Sequence, residues 1–253
     1  MSRPPRVSSG TADGARPAGR VAYGIDAPPV VGGFVAAGVL GTVFLLLTAF
    51  TRAHLLGPGI GFFAFGWLTA AAMLHSSLRG KIVLRDRVLD RLALRGDEDV
   101  VDLGTGRGLM LLGALLRAPD GTGVGVDLWR SVDQAGSRPE RFMANAETLG
   151  VADRVRVVTG DISALPLPDA SADVVLACLS IHNIHDRDKR CATITHAARV
   201  LRPGGRLAVI DFAKTDQYVQ DARAAGLVDV TRSRPTPMMW PPVRVVLARK
   251  PAP

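Results

Sequence analysis

Two stretches without a charged side chain set the frame for this chain: residues 27–51 and residues 53–78, separated by Arg52 alone. A bilayer core about 30 Å thick takes about 20 apolar residues of helix to cross. Residues 30–50 are long enough for that, and residues 60–74, extended through Ser76, Ser77 and Leu78, just reach. Between them Gly57-Pro58-Gly59 reads as a turn. The expectation is a transmembrane helical hairpin over residues 27–78. A cleavable signal peptide fits poorly, because the lead runs to Asp26 and a second apolar run follows the first. Two helices buried in a soluble fold are the remaining alternative.

Arg3, Arg6, Arg16 and Arg20 precede the first span, Arg79, Lys81, Arg85 and Arg87 follow the second, and only Arg52 lies between. Positive residues stay on the cytoplasmic side, so both ends are expected there, and with them the rest of the chain. Gly33, Ala37 and Gly41 repeat every four positions, as do Gly66 and Ala70. That spacing lets helix backbones approach closely in lipid. Residues 1–26 are rich in Pro, Gly, Ser and Arg and read as a disordered basic tail.

Residues 79–253 have a different character. Short Val-rich runs alternate with helical stretches, the pattern of a parallel sheet covered on both faces. Strands are expected at 99–103, 123–127, 155–159, 173–179 and 206–211, with two more around 228–231 and 243–248. Helices are expected at 108–117, 138–149, 187–200 and 217–225. Leu84, Val88 and Leu92 recur at helical spacing and predict an amphipathic helix ahead of the first strand. Arg202-Pro203-Gly204-Gly205 reads as a turn that stops one helix before the next strand. The two cysteines, Cys178 and Cys191, form no CxxC and no zinc spacing, so neither a disulfide scaffold nor a metal site is expected.

The chemistry concentrates in Val100-Val101-Asp102-Leu103-Gly104-Thr105-Gly106-Arg107-Gly108, a strand that runs through a glycine-rich turn into a helix. Such glycines let the backbone come close to a ligand. The nicotinamide fingerprint G-x-G-x-x-G would need glycine where Leu109 stands, which weighs against hydride transfer. A second strand ends at Asp127, about where nucleotide-binding α/β proteins place an acid for ribose hydroxyls. Asp161 follows the third strand and is placed to take an adenine amino group. Turn-making and helix capping are the ordinary alternatives for Asp102 and Asp161 taken singly. Three acids ending three successive strands point instead to one ligand edge.

Together VVDLGTGRG, VGVDL, VTGDISALPLPDASADVVLACLSIHNIHD and RVLRPGGRLAVIDF resemble a class I S-adenosylmethionine-dependent methyltransferase, most like its ubiquinone/menaquinone small-molecule branch. The resemblance covers essentially all of residues 79–253. It implies an α/β fold, a Rossmann-like seven-stranded methyltransferase sheet with helices on both faces, here preceded by two transmembrane helices. S-adenosyl-L-methionine is the implied cofactor. Gly104, Gly106 and Gly108 would form the loop around its methionine part, and Asp102 would order that loop and contact the cofactor through water or its amino group. Asp127 would meet the ribose and Asp161 the adenine, with Thr105, Leu128 and Ile162 as further cofactor-binding residues. Leu179 is a cofactor-binding candidate as well.

After the fourth strand comes Leu179-Ser180-Ile181-His182-Asn183-Ile184-His185-Asp186. His182 and His185, three apart, are the candidate catalytic groups, since histidine titrates near neutrality and can take a proton from an acceptor. Closing the pocket by hydrogen bonding is the alternative role. The net charge of +8 suits nucleic acid, a membrane face or an anionic substrate equally. Basic residues are scattered, aromatics are only 5%, and no Asn-Pro-Pro-Tyr/Phe motif follows the fourth strand, so nucleic acid is not the expected partner. The expectation is a membrane-anchored methyltransferase acting on a small lipophilic acceptor. A non-catalytic cofactor-binding membrane protein is the alternative.

Overall fold

The computed structural model describes residues 21, 23–51, 56–129 and 138–252. Helices α1 (Pro28–Thr51) and α2 (Leu56–His75) come first. Gly59 faces Leu45, Gly41 faces Phe63 and Gly66 faces Gly38, pairings that run in opposite directions, so the two helices are antiparallel. A Cβ on Gly41 would collide with the backbone of Phe63, and one on Gly66 with that of Gly38. Glycine is what permits this approach. Gly33, expected in the same stripe, has nothing within 4 Å of where its Cβ would stand, and Gly38 takes its place at the crossing.

Gly57-Pro58-Gly59 lies inside the first turn of α2 rather than in a loop. The first N–H groups of a helix have no intrahelical acceptor, so a proline there costs no hydrogen bond. Both helices are long and apolar enough to cross a membrane, and only 17% of the most apolar window of the first is buried. Leu46, Phe50, Ile60, Phe65 and Leu68 all stand exposed on the pair.

Helix α2 does not end where charge returns. It passes through a wide π turn (Ser76–Gly80) into α3 (Lys81–Leu92), and the combined helix, Leu56–Leu92, is 37 residues long. The expected junction between residues 78 and 79 thus falls within a helix. The tail expected over residues 1–26 stops short of Tyr23, which is buried. Nζ of Lys81 donates to the carbonyls of Tyr23 (3.3 Å) and Gly24 (2.7 Å) and pairs with Asp26 at 3.0 Å. Asp26 N donates to Oγ of Ser77, and Arg85 donates to the Tyr23 hydroxyl. Residues 1–20 lie outside the described residues.

The sheet has seven strands: β1 (Asp99–Leu103), β2 (Thr122–Asp127), β3 (Val155–Thr159), β4 (Ala172–Cys178), β5 (Leu201–Asp211), β6 (Val228–Arg232) and β7 (Arg244–Arg249). Their order is β3-β2-β1-β4-β5-β7-β6, with β7 antiparallel to both neighbours and β1 to β5 joined in parallel. Successive strand residues face opposite sides. Val100, Val174 and Leu176 pack with α3, α4 (Leu109–Leu115) and α5 (Pro139–Thr148). Val101 and Val175 pack with α6 (Arg187–Val200) and α7 (Thr215–Ala224) on the other face. Strand β5 begins earlier than expected. Between Ala172↔Leu201 and Val174↔Arg206 the register shifts, so the Pro203-Gly204-Gly205 turn is accommodated as a bulge inside the strand.

Candidate active site

Strand order reverses at β1, which has β2 on one side and β4 on the other. Ligands of open α/β sheets bind outside the carboxyl ends of strands at that point. A cavity of about 750 Å3 lies there. Asp102, Gly104, Thr105, Gly106, Asp127, Leu128, Asp161, Ile162, Leu179, His182 and His185 all line it. Gly108 does not; it begins α4 with φ +83°, and a side chain there would strike Leu112 and Phe142. Its role is close packing of the loop on the helix.

The loop is held by backbone and carboxylate together. Gly104 N and Thr105 N both donate to Val126 O, at 2.8 and 3.2 Å. Gly104 has φ +74°, and a Cβ there would collide with Ser180, whose hydroxyl donates to Leu103 O at 2.7 Å. Asn145 on α5 donates to Arg107 O at 2.9 Å. Asp127 accepts from Gly106 N at 2.8 Å on one oxygen and from Trp129 N at 2.7 Å on the other. Asp127 also lines the cavity, so the acid that shapes the loop stands at the ligand edge as well.

Asp102 is 2% exposed. Its Oδ2 accepts from Thr105 Oγ1 at 3.0 Å, while its Oδ1 is buried with no hydrogen-bond partner among the described residues. Burial pushes its pKa up to about 7, against the opposing hydrogen bond from Thr105. A half-satisfied buried carboxylate on a cavity wall is what a cationic ligand group would complete. Asp161 caps the short helical turn Ile162–Ala164, accepting from Ser163 N (2.8 Å) and Ser163 Oγ (2.7 Å). It is therefore both a cap and part of the cavity wall. Cys178 also faces the cavity, and burial pushes its thiol up, which keeps it protonated.

At the acceptor segment the structure adds a residue that the sequence reading left unassigned. Nδ1 of His182 lies 2.8 Å from Oδ1 of Asp211, the last residue of β5. Two bare lone pairs at that separation would repel, so the proton of a neutral ring belongs on Nδ1. The contact is short without meeting hydrogen-bond geometry. Asp211 is fully buried and accepts also from His182 N (3.2 Å), Phe212 N (2.9 Å) and the Tyr218 hydroxyl (3.2 Å). Phe212 flanks the imidazole, with ring centroids 4.4 Å apart. This leaves Nε2 as the acceptor nitrogen of His182. His185 reaches the same cavity, and its carbonyl accepts from Arg190.

Residues 101–209 match the family described as "Methyltransferase domain". The match and the strand order give this stretch a Rossmann-like methyltransferase fold. Among relatives, the chain is 39% identical over 129 residues to the 27-O-demethylrifamycin SV methyltransferase of Amycolatopsis mediterranei, covering 51% of this chain and 44% of that one. It is 36% identical over 132 residues to the ubiquinone/menaquinone biosynthesis C-methyltransferase UbiE of Dinoroseobacter shibae, covering 52% and 49%. The chain thus spans less than half the length of these relatives. In fold it is similar to geranyl diphosphate methyltransferase solved in complex with SAM, with TM-score 0.56 and 17% identity over 67% of this chain and 85% of that one.

Proposed function

We propose that the chain is a membrane-anchored methyltransferase that moves a methyl group from S-adenosylmethionine to a small lipophilic acceptor on the cytoplasmic face. The observation that carries this reading is one cavity that joins the glycine loop and the acids ending β1 and β2 to an imidazole backed by a buried carboxylate. The residues present suit the cofactor. Asp102, with its unpartnered oxygen, would take the ammonium group; Asp127 would accept from ribose hydroxyls; Asp161 and Ile162 would flank the adenine; Leu128 and Leu179 would enclose the rest. Gly104, Thr105 and Gly106 give the backbone its close approach. When bound, the cofactor supplies a methyl group already activated by its sulfonium.

The remaining work is positioning and proton handling. Nε2 of His182 takes the proton of an acceptor hydroxyl or amine, and Asp211 stabilises the imidazolium that results. Phe212 limits the ring's rotation. Anchoring is supported by the length, apolar surface and exposure of α1 and α2 and by the arginines that flank them. A core helix of a soluble protein would bury most of its apolar window.

Two measurements test this. Full-length protein incubated with methyl-labelled cofactor and lipid extracts should yield labelled small molecules by mass spectrometry. Cofactor binding without any labelled product would favour the non-catalytic alternative. The protein should also stay with membranes after an alkaline carbonate wash, and release into the wash would refute the anchor.

A further inference from the structure

Part of the cavity wall comes from outside the sheet. Ala27, Val30 and Phe34 reach it from the start of α1 and Met73 from the end of α2, while Met239 and Trp240 reach it from the segment between β6 and β7. Because the hairpin is antiparallel, the α1 and α2 residues belong to one end of it. That end is fixed on the domain by three separate ties. Trp240 N donates to Ser76 Oγ at 2.9 Å, Lys81 pairs with Asp26 at 3.0 Å, and Gly80 packs directly on Met238 O. The pair also neutralises the lysine at this edge, so apolar side chains dominate what the hairpin shows the cavity. Away from the cavity the same two helices carry exposed Leu46, Phe50 and Leu68.

We infer that the near ends of α1 and α2 form the apolar half of the acceptor subsite. The ligand class is an amphiphile with a hydroxyl-bearing head at His182 and an alkyl or fused-ring body along Val30, Phe34 and Met73. Such a molecule reaches the cleft laterally, along the hairpin, without leaving an apolar surface. The inference rests on the proposed methyl transfer and deepens it, because the hairpin becomes a reader of the acceptor as well as a tether.

The test uses the full chain in lipid nanodiscs, with 4-dodecylphenol and an analogue carrying a photoreactive diazirine in mid-chain. Irradiation should label peptides containing residues 30–34, Met73 or Trp240, and excess 4-dodecylphenol should displace that label. Label on Phe50 and Leu68 should not be displaced, since those side chains meet only lipid. Val30→Trp, which narrows the subsite, and Phe34→Ala, which removes a wall, should each lower the displaceable label tenfold or more. S-adenosylmethionine affinity by calorimetry should stay unchanged in both. Displaceable label confined to other segments, or indifferent to both substitutions, overturns the inference. Label in the expected places with no methylated phenol would uphold the subsite while removing the methyl-transfer reading.

Discussion

Replacing Asp102 by Asn tests the buried carboxylate directly. Its pKa is raised from 3.8 to about 7 because burial removes water, against the opposing hydrogen bonds from the Thr105 hydroxyl and the Leu111 backbone. A raised carboxyl pKa means that the fold prefers the protonated form. In the ligand-free protein the contribution of Asp102 to stability is then fully present below the unfolded value and is lost as pH climbs through about 7. The three-unit displacement corresponds to about 4 kcal/mol at pH 8. Asn is neutral and close in shape, so the stability of Asp102→Asn relative to the parent should rise from pH 5 to 8, exceeding the parent at the upper end. The same change should weaken S-adenosylmethionine by about 2–3 kcal/mol through loss of a charge-assisted contact. Binding a cationic group ionises Asp102, so the parent should release more protons per ligand near pH 6 than near pH 8. Calorimetry in buffers of different ionisation enthalpy counts those protons, and thermal unfolding in detergent follows the stability. A proton count that does not change with pH, or parent and variant melting in parallel from pH 5 to 8, would refute the reasoning.

Other substitutions separate the parts of the site. Asp127→Ala should weaken the cofactor by about 1–3 kcal/mol, since it removes ribose acceptors and releases Gly106 N; unchanged calorimetric affinity would sink the ribose assignment. His182→Ala should lower turnover about 10²–10⁴-fold with cofactor affinity intact, and Asp211→Asn should lower it as well by removing the carboxylate beside the imidazole. If only His185→Ala slows the reaction, the base has been assigned to the wrong ring. Lys81→Met removes the ammonium group that pairs with Asp26 and should cost about 2–3 kcal/mol, less than a fully buried pair because Asp26 is 26% exposed. Adding Asp26→Asn should recover part of that loss, measured as melting temperature in detergent.

The strands were legible because short valine runs bounded by glycine and aspartate leave few other options, and the first four were placed within a residue of their observed ends. The acids of β1 and β2 were legible for the same reason, standing at strand ends beside glycine turns. Asp211 ends β5 in the same way and carried the same signal, but its importance comes from His182, 29 positions away in sequence. The ties around Lys81 were beyond sequence reading. Nothing local announces that Lys81 meets Asp26 from 55 positions away. The continuity of α2 and α3 was obscured by Gly80 and by the return of charge at Arg79. Both mark a change of surroundings, and neither breaks the helix, because close packing on Met238 is what requires a glycine.

That uninterrupted helix, Leu56–Leu92, gives the junction an angular phase. An α-helix turns about 100° and advances about 1.5 Å per residue. One residue inserted beside the π turn would swing the hairpin by about 100° around the axis and carry Phe34 and Val30 off the cleft. Seven would bring the azimuth back to within about 20° while lifting the hairpin by about 10 Å. A replacement hairpin must therefore arrive at Lys81 in the right rotational setting, and a flexible linker of the same length would discard that orientation.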